Sequence, residues 1–131
     1  MATHERKRLG DVVLYQLDHR YCCQLRTVEG AGAGSGIALQ IGEVLVDGTG
    51  AKVTPVGAED GADWEAILLE PVKASDNEVD QDRLCLVRGP AVLNGSQLTY
   101  QDETEKAEAI TAMKTALVIV RDEPTSSVQQ T

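Results

Sequence analysis

Residues able to do chemistry gather at three places in this chain. Cys22 and Cys23 are adjacent, with His4 and His19 upstream. Thiolates and imidazoles together are the ligands of zinc and the parts of a thiol nucleophile. Zinc sites, however, space their thiolates as in Cys-x-x-Cys so that both reach one ion, and adjacent residues on a strand point to opposite faces. Asp76, Asn77, Glu78, Asp80 and Asp82 crowd side-chain oxygens, the raw material of a calcium loop. The EF-hand pattern fails at two points, because Gln81 stands where glycine is needed and Val87 where the bidentate glutamate belongs. Gly30 to Gly36 reads GAGAGSG, and glycine-rich loops can cradle phosphates. A phosphate loop ends in Gly-Lys-Ser/Thr and opens a helix, whereas here no lysine follows and the next segment is strand-like. Solvated loops are the simpler reading of both stretches. No Ser–His–Asp set, HExxH or GxSxG is present. Both histidines lie in a polar N-terminal segment, a poor platform for acid–base work that needs fixed geometry. The residues therefore point to a binding protein with no catalytic, cofactor or metal residues. A small metal-dependent enzyme using the acidic loop is the alternative from another class.

The elements that must carry these residues are short. Residues 1–20 read as a flexible N-terminal arm with one strand-like patch at Val12 to Tyr15. Residues 21–28 are β-prone. Ile37 to Ile41 alternates as a half-buried strand does. Val44-Leu45-Val46, the Asp47-Gly48-Thr49-Gly50 turn and Lys52 to Val56 predict a hairpin. Trp64 to Val72 is a continuous apolar run, the best candidate for a central strand. Ala74 to Asp82 reads as an exposed acidic loop, followed by a strand over Arg83 to Arg88. Gly89-Pro90 breaks that strand, Ala91 to Leu93 continues its path, and Asn94-Gly95 makes a second turn. Residues 102–116 predict the one convincing helix, with Asp102 as N-cap and an apolar stripe at Ala107, Ile110, Met113 and Ala116 or Leu117. Leu117 to Val120 reads as a last short strand. Nothing in this order alternates strand and helix as a parallel α/β sheet would. The expected fold is mainly β (β-rich α+β): a compact small domain of short strands with one helix in its C-terminal half. Residues 1–20 form its arm, 21–121 the single β-rich domain and 122–131 a polar tail.

Composition narrows the function further. The 131 residues suit one domain. Hydrophobic residues make up 42%, yet there is no Phe and aromatics are only 3%, so the core must be built from Val, Leu, Ile and Ala with Trp64 as its largest piece. A net charge of −9 argues against nucleic acid and against an anionic membrane as partners. Three cysteines, an odd number, do not form a secreted disulfide framework. The first residues lack an apolar signal core, and a soluble protein made in the cytoplasm is expected.

Two blocks in this order carry a family resemblance. Ala66-Ile67-Leu68-Leu69-Glu70-Pro71-Val72 is followed, beyond a polar loop, by Cys85-Leu86-Val87-Arg88-Gly89-Pro90-Ala91-Val92-Leu93 and a later Leu98. Upstream stand Gly36-Ile37, Leu39, Gly42 and Val44-Leu45; downstream an Ala-rich helix ends in Leu117-Val118-Ile119-Val120-Arg121. As an ordered series over roughly residues 20–121, this resembles the lambda-type head-decoration proteins of tailed bacteriophages. The resemblance implies a homotrimer on the outside of the expanded head, at local three-fold positions, that cements the shell against the pressure of the packaged DNA. It implies the major capsid protein as partner, the virion surface as location, and an N-terminal arm that adds a strand to a sheet edge of the shell. In this sequence Val12, Val13, Leu14, Tyr15 and Leu17 are the expected capsid-binding arm residues. Another phage structural part, in the tail, connector or spike, is the alternative within the same class.

Overall fold

The computed structural model describes residues 9–48, 50–55, 61–100 and 103–121. The apolar run at Trp64 supplies the central strand. β5 (Trp64–Leu68) pairs antiparallel with β3 (Val44–Asp47) on one side and with β6 (Gln81–Leu86) on the other. β3 also forms the expected hairpin with β4 (Val53–Pro55), pairing Leu45 with Pro55 and Asp47 with Val53. β2 (Cys23–Val28) runs antiparallel along β6 from Cys23↔Leu86 to Val28↔Gln81. One parallel pair, Val28↔Val53, joins β2 to β4 and closes a barrel in the order β2-β4-β3-β5-β6. Closure leaves the barrel with no open edge for a stray strand to join.

The barrel is filled by small aliphatic side chains, as a sequence without Phe requires. Val28, Leu45, Val53, Ala66, Leu68, Val72 and Cys85 are among the residues of its inner cluster. The alternate residues of the same strands, Val44, Val46, Ile67 and Leu86, face a second cluster with Val12, Leu93, Ala109, Met113 and Val118. β3 is thus buried on both faces, which explains its unbroken Val-Leu-Val run.

The second cluster is covered by a separate three-stranded sheet and the long helix. After Arg88 the chain leaves the barrel, so β7 (Ala91–Asn94) does not continue the path of β6 but is the middle strand of a second sheet, between β1 (Val13–Gln16) and β8 (Val118–Arg121). α3 (Glu103–Thr115) then crosses to β8 (Val118–Arg121), which lies parallel to β7 with Ala91↔Val118 and Leu93↔Val120. β7, α3 and β8 thus form a β-α-β unit inside the expected β-rich α+β fold, with the expected last strand following the helix. Parallel neighbours need a long crossover, and the helix provides it. The buried face of α3 also differs from the expected stripe. Glu105, Ala109 and Met113 are buried, whereas Ala107 and Leu117 are exposed. Alanine contributes little to an apolar face, so tertiary contact rather than periodicity chose the orientation. Asp102, the expected N-cap, lies outside the described residues.

The N-terminal region contains two one-turn helices that the sequence did not signal strongly, α1 (Leu9–Val12) and α2 (His19–Cys22). Asp18 caps α2 by accepting the Arg20 N–H at 3.0 Å. Between them β1 (Val13–Gln16) pairs antiparallel with β7. Residues 9–20, read as part of a loose arm, are thus packed into the domain; residues 1–8 and 122–131 lie outside the described residues. The strand expected over Ile37 to Ile41 reduces to one bridge, Leu39↔Val72. Gly36 and Gly42, both at positive φ (68° and 99°), bend the chain away at either end.

Candidate partner-binding face

Among the five arm residues, the structure separates anchors from exposed groups. Val12 has no exposed surface and belongs to the second core cluster, and Val13 packs against that cluster. Leu14, Tyr15 and Leu17 remain 37%, 51% and 63% exposed. A register shift between Val13 and Tyr15 breaks the strict alternation of β1, which is why neighbours Leu14 and Tyr15 can both face solvent. The Leu17 N–H donates to the Pro90 carbonyl at 2.9 Å and extends the attachment of β1 past its last ladder pair.

These exposed groups continue across the sheet. Tyr15 is the register partner of Val92, and Val92 is the partner of Ile119, so the three form a row on one face. Ala91, Leu93 and Val118 bury the opposite face. Ile119 is 46% exposed and Leu117, held at φ 64°, is 60% exposed. Contiguous apolar surface of this kind marks contact sites more often than isolated exposed leucines do. Val92, Leu117 and Ile119 were not recognised as surface groups in the sequence. The alternation in Val118-Ile119-Val120 carried a signal, but only the pairing with β7 decides which face is inside.

The candidate chemical sites resolve into structural roles. Cys22 ends α2 and Cys23 begins β2, so both thiols reach the same core cluster instead of opposite strand faces. The three cysteines are free. Cys23 donates to Gln16 Oε1 at 3.2 Å and lies 3.6 Å from His19 Nδ1. Burial pushes its pKa up to about 11, with its neighbour Cys22 adding to the effect. Burial also pushes Cys85 up to about 12, outweighing the opposing pull of Arg26. Nucleophilic cysteines need the opposite shift. Among the described residues no three His, Cys, Asp or Glu side chains are grouped to hold a metal ion.

The acidic loop and the glycine-rich loop hold each other. The Gly30 N–H donates to Asp80 Oδ1 at 2.9 Å, and Lys52 Nζ lies 2.7 Å from Asp80 Oδ2. These donors hold the Asp80 carboxyl below the usual range, the Lys52 bond first. Asp82 accepts from Thr27 Oγ1 at 2.7 Å, and Asn77 Nδ2 donates to the Ile37 carbonyl at 2.9 Å. Gly32 and Gly34, at φ 105° and 76°, let the loop turn back over these contacts.

What the geometry offers, among the described residues, is a closed barrel and an open apolar sheet face, a binding device. No curated protein sequence matches the chain. The family model for bacteriophage lambda head decoration protein D matches residues 2–119, nearly the whole length. Its members decorate the phage capsid, so the family places the chain on the virion. The chain belongs to the bacteriophage lambda head decoration protein D family.

Proposed function

We propose that the protein binds the outside of the expanded phage head as a homotrimer, at local three-fold positions, and stabilises the shell against internal DNA pressure. The match over residues 2–119 carries this reading, and the apolar row on the β1-β7-β8 sheet supports it. The partner is the major capsid protein, and the role is structural: no catalysis, no cofactor, no nucleic acid and no membrane. Leu14, Tyr15 and Leu17 are the arm residues with surface to offer the shell. Val12 and Val13 hold β1 against the core, so that the arm's exposed residues are presented from a fixed strand. β1 is already ordered in the domain and pairs on one side only, so it can meet an edge of the shell's sheets without the ordering cost of about 1–2 kcal/mol per residue that a loose segment would carry. Three arms on one trimer raise the effective affinity by about 100–10,000-fold over one. A ligand that binds only the expanded lattice favours it by mass action.

Co-sedimentation with expanded and unexpanded heads of the cognate phage tests the proposal. Four forms are compared: the full chain, a chain lacking residues 1–8, a chain lacking residues 1–20, and the Tyr15→Ser, Leu17→Ser variant. Saturable binding to expanded heads alone, weakened by the two serines, is expected. Equal binding to both head forms, or to neither, would remove the decoration mechanism. Analytical ultracentrifugation, free and after release from heads, checks the trimer.

A further inference from the structure

The ladder of β2 and β6 has two unlike ends. Its register runs from Cys23↔Leu86 to Val28↔Gln81, about 17 Å of strand. At the first end the Val87 and Arg88 N–H groups donate to the Cys22 carbonyl at 2.8 and 3.3 Å, which sets Arg88 beside Tyr21. The Arg88 guanidinium lies 4.9 Å from the centre of the Tyr21 ring and donates to the Tyr21 carbonyl. The ring is held by this contact, yet the residue stays 56% exposed. Arg20 beside it is exposed, and among the described residues its side chain has no partner. Asp18, the acid of this end, caps α2. At the other end the glycine-rich and acidic loops form one surface. The Ala31 N–H donates to the Asn77 carbonyl at 2.7 Å, and Asn77 Nδ2 donates to the Ile37 carbonyl at 2.9 Å. Ile37 and Val79 stand 50% and 63% exposed there. Glu78 between Asn77 and Val79 is exposed, and among the described residues its side chain has no partner. Asp76, Asp80 and Asp82 add to its charge against Lys52, Lys73 and Arg83; Lys52 is paired with Asp80, and Arg83 reaches Asp76 at 4.0 Å.

We infer that these two ends meet between copies of this chain. Tyr21, backed by Arg88, packs on Ile37 and Val79 of the next copy, and Arg20 faces its Glu78. Patches at opposite ends of one ladder cannot reach each other within a chain. Because they differ, their contact is head-to-tail, and such contacts close into a ring when the rotation between copies returns to the first. A tyrosine already held under a guanidinium loses little further freedom on binding and offers a large amphipathic surface. Exposed aliphatic groups set among carboxylates present the complementary surface, and the opposite charges fix the register of the contact. The number of copies, three, rests on the proposed homotrimer; the pairing of the two ends does not. None of these residues belongs to the β1-β7-β8 face, which stays free for the shell.

Cross-linking of the full-length protein, free in solution and bound to expanded heads, tests it. Gln24→Cys and Ala31→Cys place one exposed thiol at each end, while the three native thiols are buried. A short bis-maleimide should join chains carrying both changes into covalent trimers and leave chains carrying either one alone as single chains. Arg20→Glu or Glu78→Arg, added to the double-cysteine chain, should cut the trimer yield by about five- to tenfold, and both together should restore it. Single chains in both conditions, dimers from either single-cysteine chain, or a yield indifferent to the charge changes would each overturn the inference. A ladder running beyond three chains would support the head-to-tail contact and remove the trimer. Loss of head binding would remove the decoration reading alone, and the cross-links of the free protein then decide the contact.

Discussion

Burial sets the behaviour of the thiols. Cys23 and Cys85 rise from an ordinary value of 9.0 to about 11 and about 12, desolvation being the largest cause in each. A thiol whose folded pKa lies above its unfolded value keeps its proton on folding. Its contribution is complete below the unfolded value near 9.0 and is lost as pH climbs through about 11 and 12. Urea melts between pH 8 and 12 should therefore show a steeper alkaline loss for the native chain than for a Cys23→Ser, Cys85→Ala variant; parallel curves would refute the assignment. Arg26 is a charged group whose Nε is buried without a hydrogen-bond partner. Replacing an unsatisfied donor by an apolar group of similar length is neutral or stabilising. Arg26→Met should leave the urea midpoint unchanged or raise stability by up to about 1 kcal/mol, and a clear loss would mean that the guanidinium is satisfied in solution.

At the scale of elements, backbone geometry is held by a few positions that pattern alone does not rank. Gly42 donates to the Leu68 carbonyl, accepts from the Thr99 N–H and sits at φ 99°. A Cβ there would lie 2.6 Å from the Gln97 carbonyl oxygen. Gly42→Ala should cost about 2–3 kcal/mol in a denaturant melt, while the same change at exposed Gly10, with nothing within 4 Å, should cost far less. β6 carries the joint between the two clusters, since Leu86 faces one and Cys85 the other. Leu86→Ala, at a site with no exposed surface, should cost about 3 kcal/mol. A loss under 1 kcal/mol would show that the second cluster collapses around the gap.

The whole molecule divides its labour between a closed barrel and an open sheet. Closure protects five strands, whereas β1 and β8 each pair on one side only, leaving edges and an apolar row for a partner. The same arrangement sets where the N-terminal region can be cut. A chain lacking residues 1–8 keeps α1, β1 and the pairing of β1 with β7. A chain lacking residues 1–20 loses Val12 from the core and β1 from its sheet, and should lose about 3 kcal/mol or more. Equal melting of the two truncations would mean that β1 is not docked in solution.

The sequence by itself determined the β-rich class, the Val44–Pro55 hairpin, the central strand at Trp64, the long helix and, through ordered short blocks, the family. Each of these rests on local chemistry: turn residues, alternation, apolar runs and helix-forming composition act over a few neighbouring residues. Only the tertiary structure decided that Val12 is core while Tyr15 is surface, that Ala91 to Asn94 leaves the barrel for a second sheet, and that Glu105 is buried while Ala107 is not. It alone brought Tyr15 beside Val92 and Ile119, and Arg26 beside Arg83. Those placements depend on register between strands far apart in the chain. A shift of one residue would turn every side chain to the other face, and no short window of sequence records which register the assembled core selects.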